Sequence, residues 1–185
     1  LADDSQVAYY PIIAIEEPES HLHPNAQKKL YSQINNIVGQ KIIATHSSYI
    51  AGSAKLKEVR SVIKSDNSTR IGKIDESELV TEEIRKIHRQ VINTRGELYF
   101  SKVMILCEGE TEEQALPLLI KKYFGKSIIE LGIDIVGIGG GGNYFPFLHF
   151  AQKLNLKWFI LSDGESNIIK KLKKDYKKLS NLEAN

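Results

Sequence analysis

Residues Val103–Leu119 read VMILCEGETEEQALPLL. An apolar run, Val103 to Cys107, stops at a carboxylate, Glu108, with Gly109 next and Glu112 four residues after Glu108. Such a run has the length and composition of a buried strand. Thr111 suits the cap of a following helix that reaches Phe124, with Glu113 and Gln114 in its first turn. Pro117 falls inside that helix, removes one backbone donor and predicts a kink. Farther on, Trp158 to Ser162 forms a second apolar run and ends in Asp163-Gly164-Glu165. Two buried strands that both end in acids form a pattern suited to hard divalent cations and to phosphoryl-transfer chemistry on nucleic acid.

Between these runs, Ile133–Ile138 reads as a strand, followed by glycines 139–142, Asn143 and a short helix. The resulting β-α-β-α-β order predicts a parallel sheet with its active residues at the carboxyl ends of the strands. Ile168, Ile169, Leu172, Tyr176 and Leu179 give the lysine-rich tail an amphipathic helical pattern. Upstream, Pro11–Ile15 predicts a buried strand that ends at Glu16 and Glu17. Pro24 opens a helix to about Val38, with Leu30, Ile34, Ile37 and Val38 on one face. Lys41–Thr45 predicts a second buried strand, followed by His46. Val59–Ile63 and Arg70–Ile74 read as a hairpin turning at Asp66-Asn67-Ser68. Glu78–Asn93 has helical periodicity, with Leu79, Ile84, Ile87 and Val91 inward.

The chain has 185 residues, 42% hydrophobic and 26% charged, enough for a packed core in one large or two small domains. A formal net charge of +2 does not by itself indicate a nucleic-acid partner. The basic residues are unevenly placed, with Lys170, Lys171, Lys173, Lys174, Lys177 and Lys178 crowding the C-terminal end. They suit either a DNA backbone or a solvated helix face. The single cysteine, Cys107, excludes an internal disulfide and favours a cytoplasmic setting. No apolar run approaches a membrane span, and no membrane partner is expected. The chain opens on Leu1 and ends in a lysine-rich segment, which reads as an excised piece of a longer protein.

The first chemical constellation is IIAIEEPESHLHP, residues 12–24, with IIATHSSYI, residues 42–50. A strand ending in adjacent carboxylates suits nucleotide hydrolysis. Glu16 is placed to hold Mg²⁺, Glu17 to polarise the attacking water, and His46 to reach a terminal phosphate. The stretch resembles the second half of an ABC-type ATPase domain. Residues 12–17 are similar to its Walker B strand, residues 20–24 to its D-loop and residues 45–47 to its switch-histidine region. No G-x-x-x-x-G-K-[ST] loop occurs anywhere in the chain. The phosphate cradle is therefore missing, and ATP binding is expected of a full-length protein rather than of this piece. His21 and His23 form a His-x-His pair without further Cys or His nearby, which favours a structural or subunit-contact role over zinc. His88 and His149 read as ordinary surface or core histidines.

The second constellation is Glu108, Glu112, Asp163 and Glu165. Clustered without a cation these carboxylates would repel one another, and one or two Mg²⁺ or Mn²⁺ ions relieve that repulsion. Gly109 and Gly164 remove side-chain bulk beside them, leaving room for a phosphate or metal near the backbone. Acids also favour helix N-termini in their own right, so Glu112 and Glu113 have an alternative reading as helix-end residues. The Gly139–Asn143 loop reads either as a phosphate-receiving turn or as a flexible one.

This second half resembles a Toprim domain. Glu108 matches that fold's acid after its first strand, and Asp163-Gly164-Glu165 matches its later DxD motif with Glu in the second place. The EGETEEQALPLL spelling is similar to nucleases of the OLD (overcoming lysogenisation defect) family, which join an ABC-type ATPase to a Toprim nuclease in this order and include Gabija-type anti-phage enzymes. The resemblance covers about Pro11 to Ser166. It implies an α/β chain: the C-terminal portion of an ABC-type ATPase domain over residues 1–95, then a Toprim parallel-sheet domain over 96–185, truncated at its C-terminus. It implies metal ligation and DNA cleavage by Glu108, Glu112, Asp163 and Glu165. It also implies a homo-oligomer through the ATPase domains. The family's later catalytic lysine has no assigned position here; Lys170 and Lys171 are the nearest candidates.

The expected function is an ATP-regulated, divalent-metal-dependent DNA endonuclease acting in anti-phage defence or DNA processing. A second reading is a non-nucleolytic ATPase clamp or sensor that docks a helicase or another DNA-processing partner. A primase or topoisomerase is a weaker third, since no zinc ribbon is present and no catalytic tyrosine can be picked from spacing.

Overall fold

The computed structural model describes residues 10–65, 67–89, 96–139 and 144–183. The chain divides into two compact units, Leu1–Ala54 and Lys55–Asn185.

In the first unit, β1 (Ile12–Glu16) and β2 (Gln40–Ala44) pair in parallel, from Ile12 opposite Gln40 to Glu16 opposite Ala44. Between them lies α1 (Pro24–Asn35), and α2 (Ser48–Ser53) follows. Pro24 starts α1, where a missing N–H is not needed, and the His23 ring Nδ1 accepts from the Asn25 N–H at 3.3 Å. The histidine therefore serves as a helix cap. The expected length of α1 is corrected: the helix stops at Asn35, Ile34 is buried, and Ile37 and Val38 are exposed. Gly39 lies in the turn that follows the helix. It sits at φ 114°, and a Cβ there would fall 2.3 Å from the Pro11 carbonyl oxygen, so the chain turns tightly into β2 at a residue only glycine can supply. The two strands are also less buried than expected. They form a two-stranded sheet among the described residues, and Ile12 and Ile42 are exposed.

The second unit opens with the hairpin β3 (Ser61–Ser65) and β4 (Ser68–Gly72), antiparallel, with Ser61 opposite Gly72. The strands lie nearer the turn than the sequence pattern placed them; Asp66 lies outside the described residues. A 3-10 turn at Glu76–Glu78 precedes α3 (Thr81–Ile87), so the helix expected from Glu78 begins later; Val91 falls outside the described residues. Then come β5 (Val103–Cys107), α4 (Glu110–Phe124), α5 (Ile128–Leu131), β6 (Ile133–Gly137), α6 (Phe145–Lys153), β7 (Lys157–Ile160) and α7 (Ser166–Glu183). The sheet order is β6-β5-β7, and both pairings are parallel. The expected α/β parallel-sheet class is therefore present, with β5 in the middle.

Apolar character decides which elements lie inside. In α6, residues 145–151 are all buried, a helix apolar on every side that belongs in a core. Phe145, Phe147, Leu148 and Phe150 pack in one cluster with Met104, Leu106 and Val136 of the sheet. Each such side chain contributes about 1.5–3 kcal/mol by leaving water. Leu56, Ile74, Leu79 and Ile87 belong to the same cluster, so residues upstream of Gly96 share the sheet's core. The chain's packing thus breaks near Ala54, well before the change of motif near Gly96.

On α7, Leu179 is buried and Ile168 and Leu172 pack against the core, while Ile169 and Tyr176 are exposed. The inward residues recur at helical spacing, and the other two sit off that stripe. Lys178 is not simply solvated. Its ammonium lies 3.6 Å from the Phe145 ring centroid and 3.1 Å from Glu83 Oε1. No helix among the described residues is long and apolar enough to cross a membrane.

Candidate functional site

The carboxyl ends of β5 and β7 are drawn together by the sheet itself. Pairing continues past β7 through Leu161 N–H to Leu106 C=O at 2.8 Å. Two residues on, the Asp163 N–H donates to Glu108 Oε1 at 3.2 Å. The acid after the first strand and the acid after the last are thereby neighbours. Glu108 is half-buried, and Asp163 and Glu165 are exposed. Gly164 sits at φ 76°, a left-handed turn that lets the chain swing from β7 into α7. The Glu165 carbonyl then accepts from Ile169 N–H at 2.9 Å, opening α7.

Glu112 is positioned differently. The N-cap of α4 is Gly109, not Thr111, and Glu112 Oε2 accepts from the Gly109 N–H at 3.1 Å. It closes the helix end as a third-position acid does in a capping box. Glu113 points across to β6, where a Cβ on Gly137 would meet its Oε2 at 2.6 Å. That close approach explains a glycine at the end of β6. Among the described residues, no group of three or more His, Cys, Asp or Glu side chains is gathered tightly enough to hold an ion as it stands. The Glu108 carboxylate meets the Asp163 backbone, while the Glu112 carboxylate is turned to the Gly109 backbone.

Two residues beside this pair carry no sequence signal. Ser162 Oγ accepts from the Gly164 N–H at 3.2 Å and stiffens the turn. Tyr144, just ahead of α6, is fully buried. Burial first, then the charge of Glu108, pushes its phenol up to about 12, so it stays protonated at neutral pH. Its hydroxyl lies close to the Glu108 carboxylate and the Ser162 hydroxyl, yet completes a hydrogen bond of good geometry with neither. A tyrosine after a glycine run reads as a core residue, which hides it. In the glycine run itself, Gly139 has φ 75°, and residues 140–143 lie outside the described residues. Lys170 and Lys171 are exposed on α7.

In the first unit, Glu16 and Glu17 end β1, and His46 follows β2. His46 Nε2 lies 3.8 Å from Glu17 Oε1, both exposed. Glu17 takes φ 42°, unusual for a side-chain-bearing residue. The residue that sequence reasoning missed is Glu19. Its Oε1 accepts from Thr45 Oγ1 at 2.6 Å and from His46 N–H at 2.9 Å. Burial works to raise its pKa, but hydrogen bonds from Thr45 and from the Glu19, His46 and Ser47 backbone outweigh it and hold the carboxyl below its usual range. Ser47 caps α2 and donates to Gln27 Oε1 at 2.7 Å. The turn after β1 is thus tied to the loop after β2.

Residues 99–164 match the family model described as "Overcoming lysogenization defect protein-like, TOPRIM domain". Residues 4–97, just over half of the chain, match "Protein of unknown function (DUF2813)". The chain is 30% identical over 168 residues to the Old nuclease of Escherichia phage P2, covering 85% of this chain and 28% of that protein. It is 26% identical over 155 residues to the uncharacterized protein YbjD of Escherichia coli K12, covering 84% and 28%. It is 25% identical over 198 residues to endonuclease GajA of Bacillus cereus HuB5-5, covering 92% and 28%. The chain spans a little over a quarter of the length of these relatives. On these matches the chain belongs to the DUF2813 family, and its residues 99–164 form the Toprim domain of an OLD-family protein.

Proposed function

We propose that this chain contributes the metal-binding centre of a DNA endonuclease whose cutting is governed by an attached ABC-type ATPase. The observation that carries the reading is the contact between Glu108 and Asp163 at the carboxyl ends of two parallel strands. Two of the relatives are named as nucleases, one as an endonuclease, and both cover most of the chain.

The donor set fits a hard divalent cation. It consists of carboxylate oxygens, and beside Glu108 lies a buried phenol oxygen that has no hydrogen-bond partner among the described residues. Glu108, Asp163 and Glu165 would hold Mg²⁺ or Mn²⁺, with Glu112 as the fourth donor when it leaves the Gly109 N–H. Two such ions supply water activation and stabilisation of the leaving oxygen in phosphodiester cleavage. The protein's own part is placement. The Asp163 N–H fixes one Glu108 oxygen, and the Ser162–Gly164 hydrogen bond holds the turn that carries Asp163.

The ATPase reading rests on Glu16, Glu17 and His46 at adjacent parallel strand ends. In it, Glu16 holds Mg²⁺, Glu17 orients the attacking water and His46 reaches the terminal phosphate of ATP, with the phosphate cradle supplied elsewhere in a full-length protein. DNA is the substrate, a homo-oligomer formed through the ATPase domains is the working assembly, and the cytoplasm is the compartment. Anti-phage defence is the proposed setting, with a helicase as a possible associate. A plasmid-nicking assay on the full-length protein, with and without Mg²⁺, Mn²⁺ and ATP, tests the reading. Metal-dependent nicking supports it. DNA or partner binding without nicking under any of these conditions supports the clamp or sensor instead.

A further inference from the structure

The Toprim centre contains a polar group that the acidic residues do not account for. Tyr144 is fully buried and its hydroxyl oxygen has no hydrogen-bond partner among the described residues. An unpaired buried hydroxyl costs about 1–3 kcal/mol, so a position that only needed an aromatic ring would be better served by phenylalanine. The oxygen lies beside Ser162 and beside Glu108, a carboxylate proposed to hold a cation.

Its support is rigid from two sides. Tyr144 precedes α6, whose residues 145–151 are buried among the sheet and its neighbouring helices. At the start of α6, Lys178 lies over the Phe145 ring and pairs with Glu83. At the other end of α6, His149 Nε2 and Lys153 Nζ grip Glu78 at 2.8 and 2.7 Å. The helix behind the phenol is thus packed into the core and held at both ends, and the Glu108 carboxylate lies in front of it. Glu108 already receives the Asp163 N–H on Oε1.

We infer that Tyr144 is a positioning residue for Glu108: its hydroxyl donates to the carboxylate once a divalent cation is bound, and so fixes the rotamer in which Glu108 faces the ion. This rests on the endonuclease reading for its consequence in DNA cleavage, but its first effect is on cation affinity. A hydroxyl suits that task, because it offers a single donor to a carboxylate that is to face an ion.

The experiment compares full-length wild type, Tyr144→Phe, Glu108→Ala and a control, Tyr123→Phe, an exposed ring on α4. Three quantities are read: Mn²⁺ affinity by calorimetry without DNA, thermal midpoint without metal, and plasmid-nicking rate against Mn²⁺ concentration. The inference expects Tyr144→Phe to weaken Mn²⁺ binding about tenfold, the size of one hydrogen bond to a charged group. Its nicking curve should move to higher Mn²⁺ by the same factor, and its thermal midpoint should stay or rise. Tyr123→Phe should match wild type in all three.

Wild-type Mn²⁺ affinity in Tyr144→Phe overturns the inference, as does a fall in its thermal midpoint that accounts for the lost affinity. The two readings fail separately. If wild type nicks only through Glu108 while Tyr144→Phe binds Mn²⁺ normally, the tyrosine assignment alone falls. If wild type binds Mn²⁺ through Glu108 and Tyr144 but never nicks, the nuclease reading alone falls. If wild type binds no Mn²⁺, both fall.

Discussion

The backbone N–H of Asp163 donates to the Glu108 carboxylate at 3.2 Å, joining the ends of β5 and β7 across 55 residues of sequence. The two acids come together because β5 is the central strand and β7 pairs directly with it, so both chain exits lie on one edge of the sheet. That relationship makes the order of the strands, rather than any local motif, the source of the candidate site.

Glu112 has two separable roles, and two substitutions separate them. Glutamine can still accept the Gly109 N–H and close the helix end, whereas alanine cannot. Glu112→Ala is expected to lose about 1 kcal/mol of stability, and Glu112→Gln to keep its thermal midpoint. If Glu112 also binds the cation, Glu112→Gln should cut plasmid at least tenfold more slowly despite its intact fold. Unchanged nicking by Glu112→Gln would leave the residue as a cap alone.

Glu19 holds the turn after β1 to the loop that carries His46. Removing its carboxylate in Glu19→Ala deletes the bonds to Thr45 and to the His46 N–H, at a cost of about 1.5–3 kcal/mol for hydrogen bonds to a charged group. Its folded pKa lies below the ordinary 4.5. The stabilisation is therefore present above about pH 4.5 and is lost as the pH falls through the lower folded value. Denaturant melts between pH 6 and pH 3 should show a shallower acid-side loss for Glu19→Gln than for wild type. Parallel pH profiles would contradict the assignment.

His149 titrates in the opposite environment for its charge type. Burial lowers its pKa below 6.5, and the Glu78 carboxylate offsets only part of that effect. The neutral ring donates from Nε2 to Glu78, while Nδ1 is buried and unpartnered. A proton added at Nδ1 would find no acceptor there. The unfolded chain binds this proton more readily, so stability is full above pH 6.5 and declines as the pH falls through the lower folded value. Thermal midpoints from pH 7.5 to pH 5 should fall for wild type. The fall should be smaller for His149→Gln, which is less stable at every pH because the packing of the ring is lost. An equal slope in both would place the titration elsewhere.

Much of this was legible in the chain itself. The runs ending at Glu108 and Asp163 carried their own direction, because an apolar strand stopped by an acid marks a carboxyl end. Their adjacency followed from the alternation of strands and helices. The hairpin was legible through its turn residues, and α6 as the short helix between two strands. Other features depended on contacts that no local pattern encodes. The end of α1 at Asn35 departs from the helical periodicity that continues to Val38, and the turn beyond it closes where Gly39 meets Pro11. The role of Glu112 at the helix end competes with cation binding for the same oxygen, and both uses favour an acid at that position. Tyr144 and Glu19 owe their importance to neighbours distant in sequence. The packing of residues 55–89 with the sheet was likewise hidden, because Leu56, Ile74 and Leu79 read as core positions of whichever unit precedes the motif change.

The central claim, that Glu108 serves a cation-dependent cutting centre, is tested most directly by one substitution. Glu108→Ala in the full-length protein should lose plasmid nicking in Mg²⁺ and Mn²⁺ by at least a thousandfold, while nucleotide binding measured on the same sample stays at the wild-type level. Nicking at the wild-type rate by Glu108→Ala under either metal would contradict the account.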